Sequence, residues 1–96
     1  MFQDPAFVEK VKSRWNEKKV DLKNTIIPST GTIQKLSNQI SISADYNFKR
    51  WEILGEYVWP NADGYAERTT YQSEVDYMIN WCNERFSWQD AAINGL

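Results

Sequence analysis

The side chains of this sequence that could carry out chemistry are few and poorly placed for catalysis. None of the 96 residues is histidine, which removes the commonest general base and the Ser-His-Asp and Cys-His arrangements. The four glycines are isolated, so the sequence has no Gly-rich phosphate-binding loop. Two carboxylate pairs remain as acid–base candidates, namely Glu74 with Asp76 and Glu84 with Asp90. Glu74 and Asp76 are two positions apart and share no helix face, and we expect Glu84 and Asp90 to be solvated charges.

Two further features are weak candidates for a nucleophile and for a calcium site. Cys82 is the only cysteine and falls on an apolar helical stripe, so we expect a buried, unreactive thiol. The segment 61–64 resembles part of a calcium loop, but the first and twelfth ligand positions would then be Trp59 and Thr70. Neither residue is a carboxylate, and an Asx-type turn is the better interpretation. We therefore predict no catalytic, cofactor-binding or metal-binding residue in this chain.

The aromatic residues are the unusual part of the composition. Five Trp, five Tyr and four Phe could hold together a small core, because each buried ring removes ~150–250 Å² from water. The alternative is that exposed rings stack on sugars. We expect Trp51, Trp59, Trp81 and Trp88 to pack together and to pin a long loop onto the last helix.

The charges are unevenly distributed along the chain. Residues 1–51 carry nine Lys and Arg against five Asp and Glu, whereas residues 52–96 carry two against eight. Attraction between the two halves across the fold is the simpler interpretation, and an acidic surface for a basic partner is the alternative. The overall net charge of −2 argues against a nucleic-acid partner, and no apolar run is long enough to span a membrane.

Hydrophobic periodicity predicts an all-α fold, a three-helix bundle formed by a single domain over residues 1–96. The first helix is expected over 5–22, because Asp4 is a good N-cap and Pro5 suits the first turn. The second is expected over 30–50, although residues 40–43 alternate like a strand. The predicted core positions of these two helices are Val8, Val11, Trp15, Leu22, Ile33, Leu36, Ile40, Ala44, Phe48 and Trp51.

The third helix is expected over 70–92, with Thr69 and Gln72 forming a capping box. Its apolar residues form two neighbouring stripes and cover about half of the helix circumference, more than the usual ~100°. The helix should therefore be covered on more than one side. Residues 52–69 connect it to the second helix, and they are apolar enough to predict an ordered aromatic loop. The two stripes contain Tyr71, Val75, Met78, Cys82, Phe86 and Ile93, and Tyr77, Trp81 and Trp88.

Three blocks of residues carry a resemblance to a known family. The most specific is the run Asn-Phe-x-Arg-Trp-x-Ile-Leu-Gly-x-x-Val-Trp-Pro-Asn over residues 47–61. It is preceded by a block over 4–15 and followed by one over 71–90. In order and spacing these blocks resemble the C-terminal region of the CotH-like family, the spore coat protein H or CotH kinase family. Glu52 stands where the family pattern has proline.

The resemblance implies a fragment of a larger protein. Family members are atypical protein kinases that use ATP and magnesium, with phosphate-binding and metal-binding residues upstream of the region matched here. It implies a location in the spore coat, at the cell surface or outside the cell, and as partners the rest of the parent polypeptide and a protein substrate. We therefore expect a non-catalytic helical region; the alternative is an independent surface module that binds carbohydrate. The residues expected to have structural or interaction roles are Arg50, Trp51, Trp59, Asn61, Trp81 and Trp88.

Overall fold

The computed structural model describes residues 1–96, and its regular structure is entirely helical. The helices are α1 (Pro5–Ile26), α2 (Thr32–Gln39), α3 (Ser41–Arg50) and α4 (Tyr71–Asn94), with a 3₁₀ turn at Tyr65–Glu67. The predicted all-α class is confirmed. The number of helices differs from the prediction, because the second predicted helix is two helices, α2 and α3. None of the helices combines the length and apolar content needed to cross a bilayer.

The first helix begins where the sequence predicts. The side chain of Asp4 accepts a hydrogen bond from the backbone N–H of Ala6 at 2.9 Å, and Pro5 occupies the first turn. The helix continues to Ile26, four residues beyond the prediction. It ends just before Pro28, which has no backbone N–H with which to continue the helical hydrogen bonds.

The boundary between α2 and α3 lies at Ile40, whose backbone (φ −101°, ψ 9°) is no longer helical. Here the hydroxyl of Ser41 donates to the carbonyl of Asn38 at 2.9 Å, an alternative to the regular backbone pattern. The surrounding Ile-Ser-Ile-Ser run also has low helix propensity. These residues therefore interrupt the predicted helix without forming a strand.

The last helix is capped one residue later than predicted. Thr70 accepts from the backbone of Ser73 at 3.1 Å, and the Ser73 hydroxyl accepts from the backbone of Thr70 at 3.0 Å. The capping box is therefore Thr70 with Ser73, and the predicted pair Thr69 and Gln72 is wrong. Serine can replace the usual Glu or Gln in this role because its hydroxyl is close enough to reach the backbone.

The helices pack as an open layer in which α4 contacts both α1 and α2. Only Gly31, Ser37, Ala44 and Val75 are buried. The accessible surface is 7463 Å², against about 5,700 Å² for a compact monomer of 11.3 kDa. The Cα radius of gyration is 17.8 Å, against about 12.5 Å for a compact domain of this length. This elongated shape, 55 × 27 × 18 Å, is not that of a closed three-helix bundle.

Many positions of the predicted core stripes are exposed. On α2 and α3 the least exposed of the inward positions are Ile33, Ser37, Ala44 and Phe48, and all of these except Ser37 belong to the predicted stripe. The predicted stripes are apolar, but only part of each stripe packs against another helix in this structure. The exposed members of the predicted stripes are Leu22, Leu36, Ile40, Trp51, Tyr77, Met78, Trp81 and Trp88.

Candidate interaction site

Arg68 fixes the connection between α3 and α4, which we call the loop (residues 51–70). Its side chain is only 12% exposed, and its Nε donates to Oε2 of Glu74 at 3.0 Å. Its two terminal nitrogens donate to the carbonyls of Asp63 (3.0 Å) and Ala62 (3.3 Å), and its guanidinium lies 4.0 Å from the ring centroid of Tyr77. One cation thus joins the loop to the first two turns of α4. In this structure Arg68, rather than a tryptophan, holds the loop against α4.

The loop is further shaped by two local features. The N–H of Glu56 donates to the carbonyl of Ile53 at 3.1 Å, closing a turn in which Gly55 has φ +80°. A side chain at this position would be strained, so the turn requires glycine. The side-chain amide of Asn61 donates to the carbonyl of Glu56 at 3.2 Å. Asn61, one of the predicted interaction residues, therefore has a structural role inside the loop.

Between the loop and α4 lies an open groove of about 400 Å³, which we call the loop groove. Most of its wall is apolar, and the paired charges of Arg68 and Glu74 lie at its α4 side. Such a groove has the chemistry to accept an apolar side chain of another polypeptide. Its lining consists of Phe48, Ile53, Leu54, Val58, Pro60, Asn61, Ala62, Arg68, Glu74 and Tyr77.

A second exposed surface, the tryptophan face, runs along α4 away from α1 and consists of Trp81, Glu84, Arg85 and Trp88. Trp81 and Trp88 are 55% and 57% exposed. The guanidinium of Arg85 lies 4.1 Å from the ring centroid of Trp88. Seven positions are close to two helical turns, so the two tryptophans lie on the same side of α4.

The predicted cluster of four tryptophans is wrong. Trp59 is 80% exposed, and none of the stacked or edge-to-face pairs in the structure joins Trp51, Trp59, Trp81 or Trp88. Trp51 follows α3 and is itself exposed, with the guanidinium of Arg50 5.3 Å from its ring centroid. The reason is geometric, because Arg68 holds the loop at the beginning of α4, before Trp81 and Trp88.

The junction of α1 with α4 is the most polar contact in the fold. Oδ1 of Asp90 accepts from Nε1 of Trp15 and from Nζ of Lys19, both at 2.8 Å. The side-chain amide of Asn94 donates to the same oxygen at 2.9 Å. The Trp15 ring also stacks on Phe86, with centroids 6.1 Å apart. The expectation that Asp90 is a simple solvated charge is therefore wrong, since its carboxylate links the two helices.

The contacts of Asp90 make the stability of the fold sensitive to acid. The hydrogen bond from Lys19, and then that from Trp15, lower the pKa of Asp90 below its ordinary value of 3.8. A carboxyl whose pKa is lower in the folded state than in the unfolded state stabilises the fold at every pH above its unfolded-state pKa. The stabilisation is lost as the pH falls through the pKa that the carboxyl has in the folded state.

We expect the melting temperature of Asp90→Asn to lie below that of the parent chain at pH 5–7, and the two to converge between pH 4 and pH 2. The measurement is thermal unfolding by circular dichroism across this range. Glu84→Gln is the control, because Glu84 forms no salt bridge. A difference between Asp90→Asn and the parent that stays constant down to pH 2 would contradict the assigned role of the carboxylate.

The remaining candidates for chemistry are separate from one another. Cys82 is partly exposed, so the expectation of a fully buried thiol is wrong. Glu74 pairs with Arg68, whereas Asp76 accepts from Gln72 at 2.9 Å on another side of the helix. No three Cys, Asp or Glu side chains converge as metal ligands. The arrangement as a whole offers apolar and charged surfaces for binding.

Searches of protein-family models, curated proteins and solved structures found no match to this chain.

Proposed function

We propose that this chain is a non-catalytic helical region of a larger CotH-like protein, and that the rest of that polypeptide covers its exposed apolar surface. The region supports the parent fold or contacts its protein substrate. The observation that carries the proposal is the surface excess of about 1,700 Å² over a compact monomer of the same mass. Specific interfaces between proteins bury about 1,200–2,000 Å² in total, or about 800 Å² on each partner, so the excess on this chain is about twice one partner's share of an ordinary interface.

The composition of the exposed surface supports a macromolecular cover. Monomeric soluble proteins rarely expose large contiguous apolar patches, and tryptophan is the residue type most enriched at the centres of interfaces. The tryptophan face on α4 is one such surface. Further apolar side chains, Leu36, Ile40, Ile42 and Tyr46, are exposed on and between α2 and α3.

The three blocks that resemble the CotH-like family also contact one another in the fold. The first and third blocks meet where Trp15 donates to Asp90 at 2.8 Å. The second and third meet where Phe48 packs against Tyr71, with ring centroids 6.2 Å apart. Residues that carry the resemblance thus take part in the contacts that connect α1, α3 and α4, which supports the proposal that they form one unit of the parent protein.

The phosphoryl-transfer chemistry of the family is assigned in this proposal to the parent polypeptide. Transfer requires a held nucleotide, metal ligands and a residue that orients the nucleophile. The carboxylates of this chain are dispersed and partly engaged with Arg68 and Lys19, so they do not fit a magnesium–ATP site. We therefore assign no step of the reaction to these residues.

The experiment that tests the proposal combines the natural gene with a binding titration. We expect the natural open reading frame to be much longer than 96 codons. The polypeptide that it encodes upstream of this chain should bind this chain and shift its tryptophan fluorescence to shorter wavelength. Trp81→Ala and Trp88→Ala should each weaken binding about 30-fold, the effect of losing a central interface tryptophan. Asn83→Ala, an exposed change on another side of α4, is the matched control. A natural gene that encodes only these 96 residues would contradict the proposal. So would an upstream polypeptide of the same gene that does not bind this chain.

A second candidate function, carbohydrate binding, is favoured by the exposure of Trp59. An aromatic ring that is 80% exposed and touches no other ring has the form of a sugar-stacking platform. The same titration with soluble cell-surface polysaccharides in place of the upstream product distinguishes the two functions. Saturable binding that Trp59→Ala abolishes would support this second candidate.

A further inference from the structure

Two surfaces of opposite charge remain largely unneutralised within one copy of the chain. The N-terminal half has an excess of cations and the C-terminal half an excess of carboxylates. A single salt bridge, Lys19 with Asp90, joins the two halves. The expected attraction between the halves therefore produces only one ion pair within the molecule.

The first of these surfaces, which we call the basic face, lies on α1 and surrounds an apolar hollow of about 480 Å³. Val11, Trp15 and Leu22 contribute the apolar part, and Lys10, Arg14 and Lys18 contribute three cations. Arg14 and Lys18 share one carboxylate, Glu17, at 3.0 and 3.1 Å. Two cations on one carboxylate leave positive charge available, and Lys10 forms no salt bridge at all.

The second surface is the loop groove. The loop that forms its apolar wall carries Glu52, Glu56 and Asp63, none of which forms a salt bridge. The only cation in the groove, Arg68, is already engaged by Glu74, by two carbonyls and by Tyr77. The groove is therefore apolar within, and the loop that forms its wall has an excess of carboxylates, the counterpart of the basic face.

These two surfaces cannot meet within one molecule. The basic face is held near Asp90 through Trp15 and Lys19, whereas the loop is held near Glu74 and Tyr77. Residues 76 and 90 are separated by about 20 Å along a helix that rises 1.5 Å per residue. Any contact between the basic face and the loop groove must therefore involve two chains.

We propose that the basic face of one copy binds the loop groove of a second copy, so that chains associate head to tail. Lys10, Arg14 and Lys18 pair with Glu52, Glu56 and Asp63, while Val11 and Leu22 enter the apolar groove. Because the two surfaces are different, each bound copy still offers one free surface of each kind, and association continues beyond the dimer. This inference does not rest on the proposed function, because it uses neither the tryptophan face nor an upstream polypeptide.

Sedimentation velocity of the 96-residue chain over a range of concentration and salt tests the inference. At low ionic strength the average mass should rise with concentration beyond that of a dimer. The association constant should fall by about tenfold or more as salt approaches about 0.5 M, because the paired charges are exposed and screened. A chain that remains monomeric at low salt, or an association that salt does not weaken, would overturn the proposal.

Charge reversal identifies the surfaces. The variant Lys10→Glu/Arg14→Glu/Lys18→Glu and the variant Glu52→Lys/Glu56→Lys/Asp63→Lys should each be monomeric at low salt. An equimolar mixture of the two should associate again, because each reversed surface then finds its complement. Lys35→Glu, an exposed change away from both surfaces, should associate like the parent. Failure of the mixture to associate, while both variants keep the circular dichroism of the parent, would overturn the proposal even if the upstream polypeptide still binds.

Discussion

Arg68→Ala should lower the free energy of unfolding by about 3 kcal/mol and release the loop from α4. The guanidinium is nearly buried, donates three hydrogen bonds and lies over the ring of Tyr77. Removing one partner of a buried charged pair typically costs about 3–5 kcal/mol, and the partial exposure of Glu74 places this site at the low end. Urea denaturation measures the loss, and hydrogen exchange of residues 51–70 shows whether the loop opens.

Two variants separate the geometry of Arg68 from its charge. Arg68→Lys keeps the charge but loses the forked donor, so we expect it to recover less than half of the lost stability. Arg85→Ala removes an exposed arginine that also stacks on an aromatic ring, and should change stability by less than about 1 kcal/mol. If Arg68→Ala were no more destabilising than Arg85→Ala, Arg68 would not be the residue that holds the loop.

Trp15→Ala should lower the free energy of unfolding by about 3 kcal/mol, because it removes the main contact between α1 and α4. The ring stacks on Phe86, and its N–H donates to Asp90. Replacing a buried tryptophan with alanine costs about 3–5 kcal/mol, and Trp15 is partly exposed. A small domain has only about 5–15 kcal/mol in total, so thermal unfolding should show a large decrease in melting temperature.

Matched tryptophan variants provide the comparison. Trp15→Phe keeps a ring on Phe86 but loses the donor to Asp90, and should cost about 1–2 kcal/mol. Trp59→Ala should change stability by less than about 0.5 kcal/mol, because that side chain is exposed. Equal effects of Trp15→Ala and Trp59→Ala on the melting temperature would contradict the assignment of Trp15 as the contact between the helices.

The sequence predicts the helices best where their ends depend on adjacent residues. Asp4 and Pro5 determine the start of α1 through a cap and a fixed backbone angle, both local effects. The start of α4 is also local, but Thr69 and Thr70 both suit the cap, and the pattern alone selects the wrong one. The break at Ile40 depends on the low helix propensity of the Ile-Ser-Ile-Ser run, a small local effect. The apolar stripe continues through this run, so the periodicity alone predicts one unbroken helix.

The candidate site is less predictable from sequence than the helix ends, because it depends on which surfaces pack against another part of the chain. Apolar periodicity shows that Trp81 and Trp88 share a face of α4, but it does not say that this face is exposed here. Arg68 was missed, although its place as the only cation among the acidic residues of the loop could have indicated a central role. The role of Asp90 is not visible in the sequence, because its partners, Trp15 and Lys19, lie more than 70 positions away.

We infer that this chain leaves unburied a surface large enough for another polypeptide to cover. Small-angle X-ray scattering of the isolated chain, at low concentration and about 0.5 M salt to suppress charge pairing between copies, tests it most directly. We expect a monomer with a radius of gyration near the 17.8 Å of the Cα trace and a longest dimension near 55 Å. A compact monomer with a radius of gyration near 12.5 Å would contradict the claim, because such a chain would already have covered its own apolar surface.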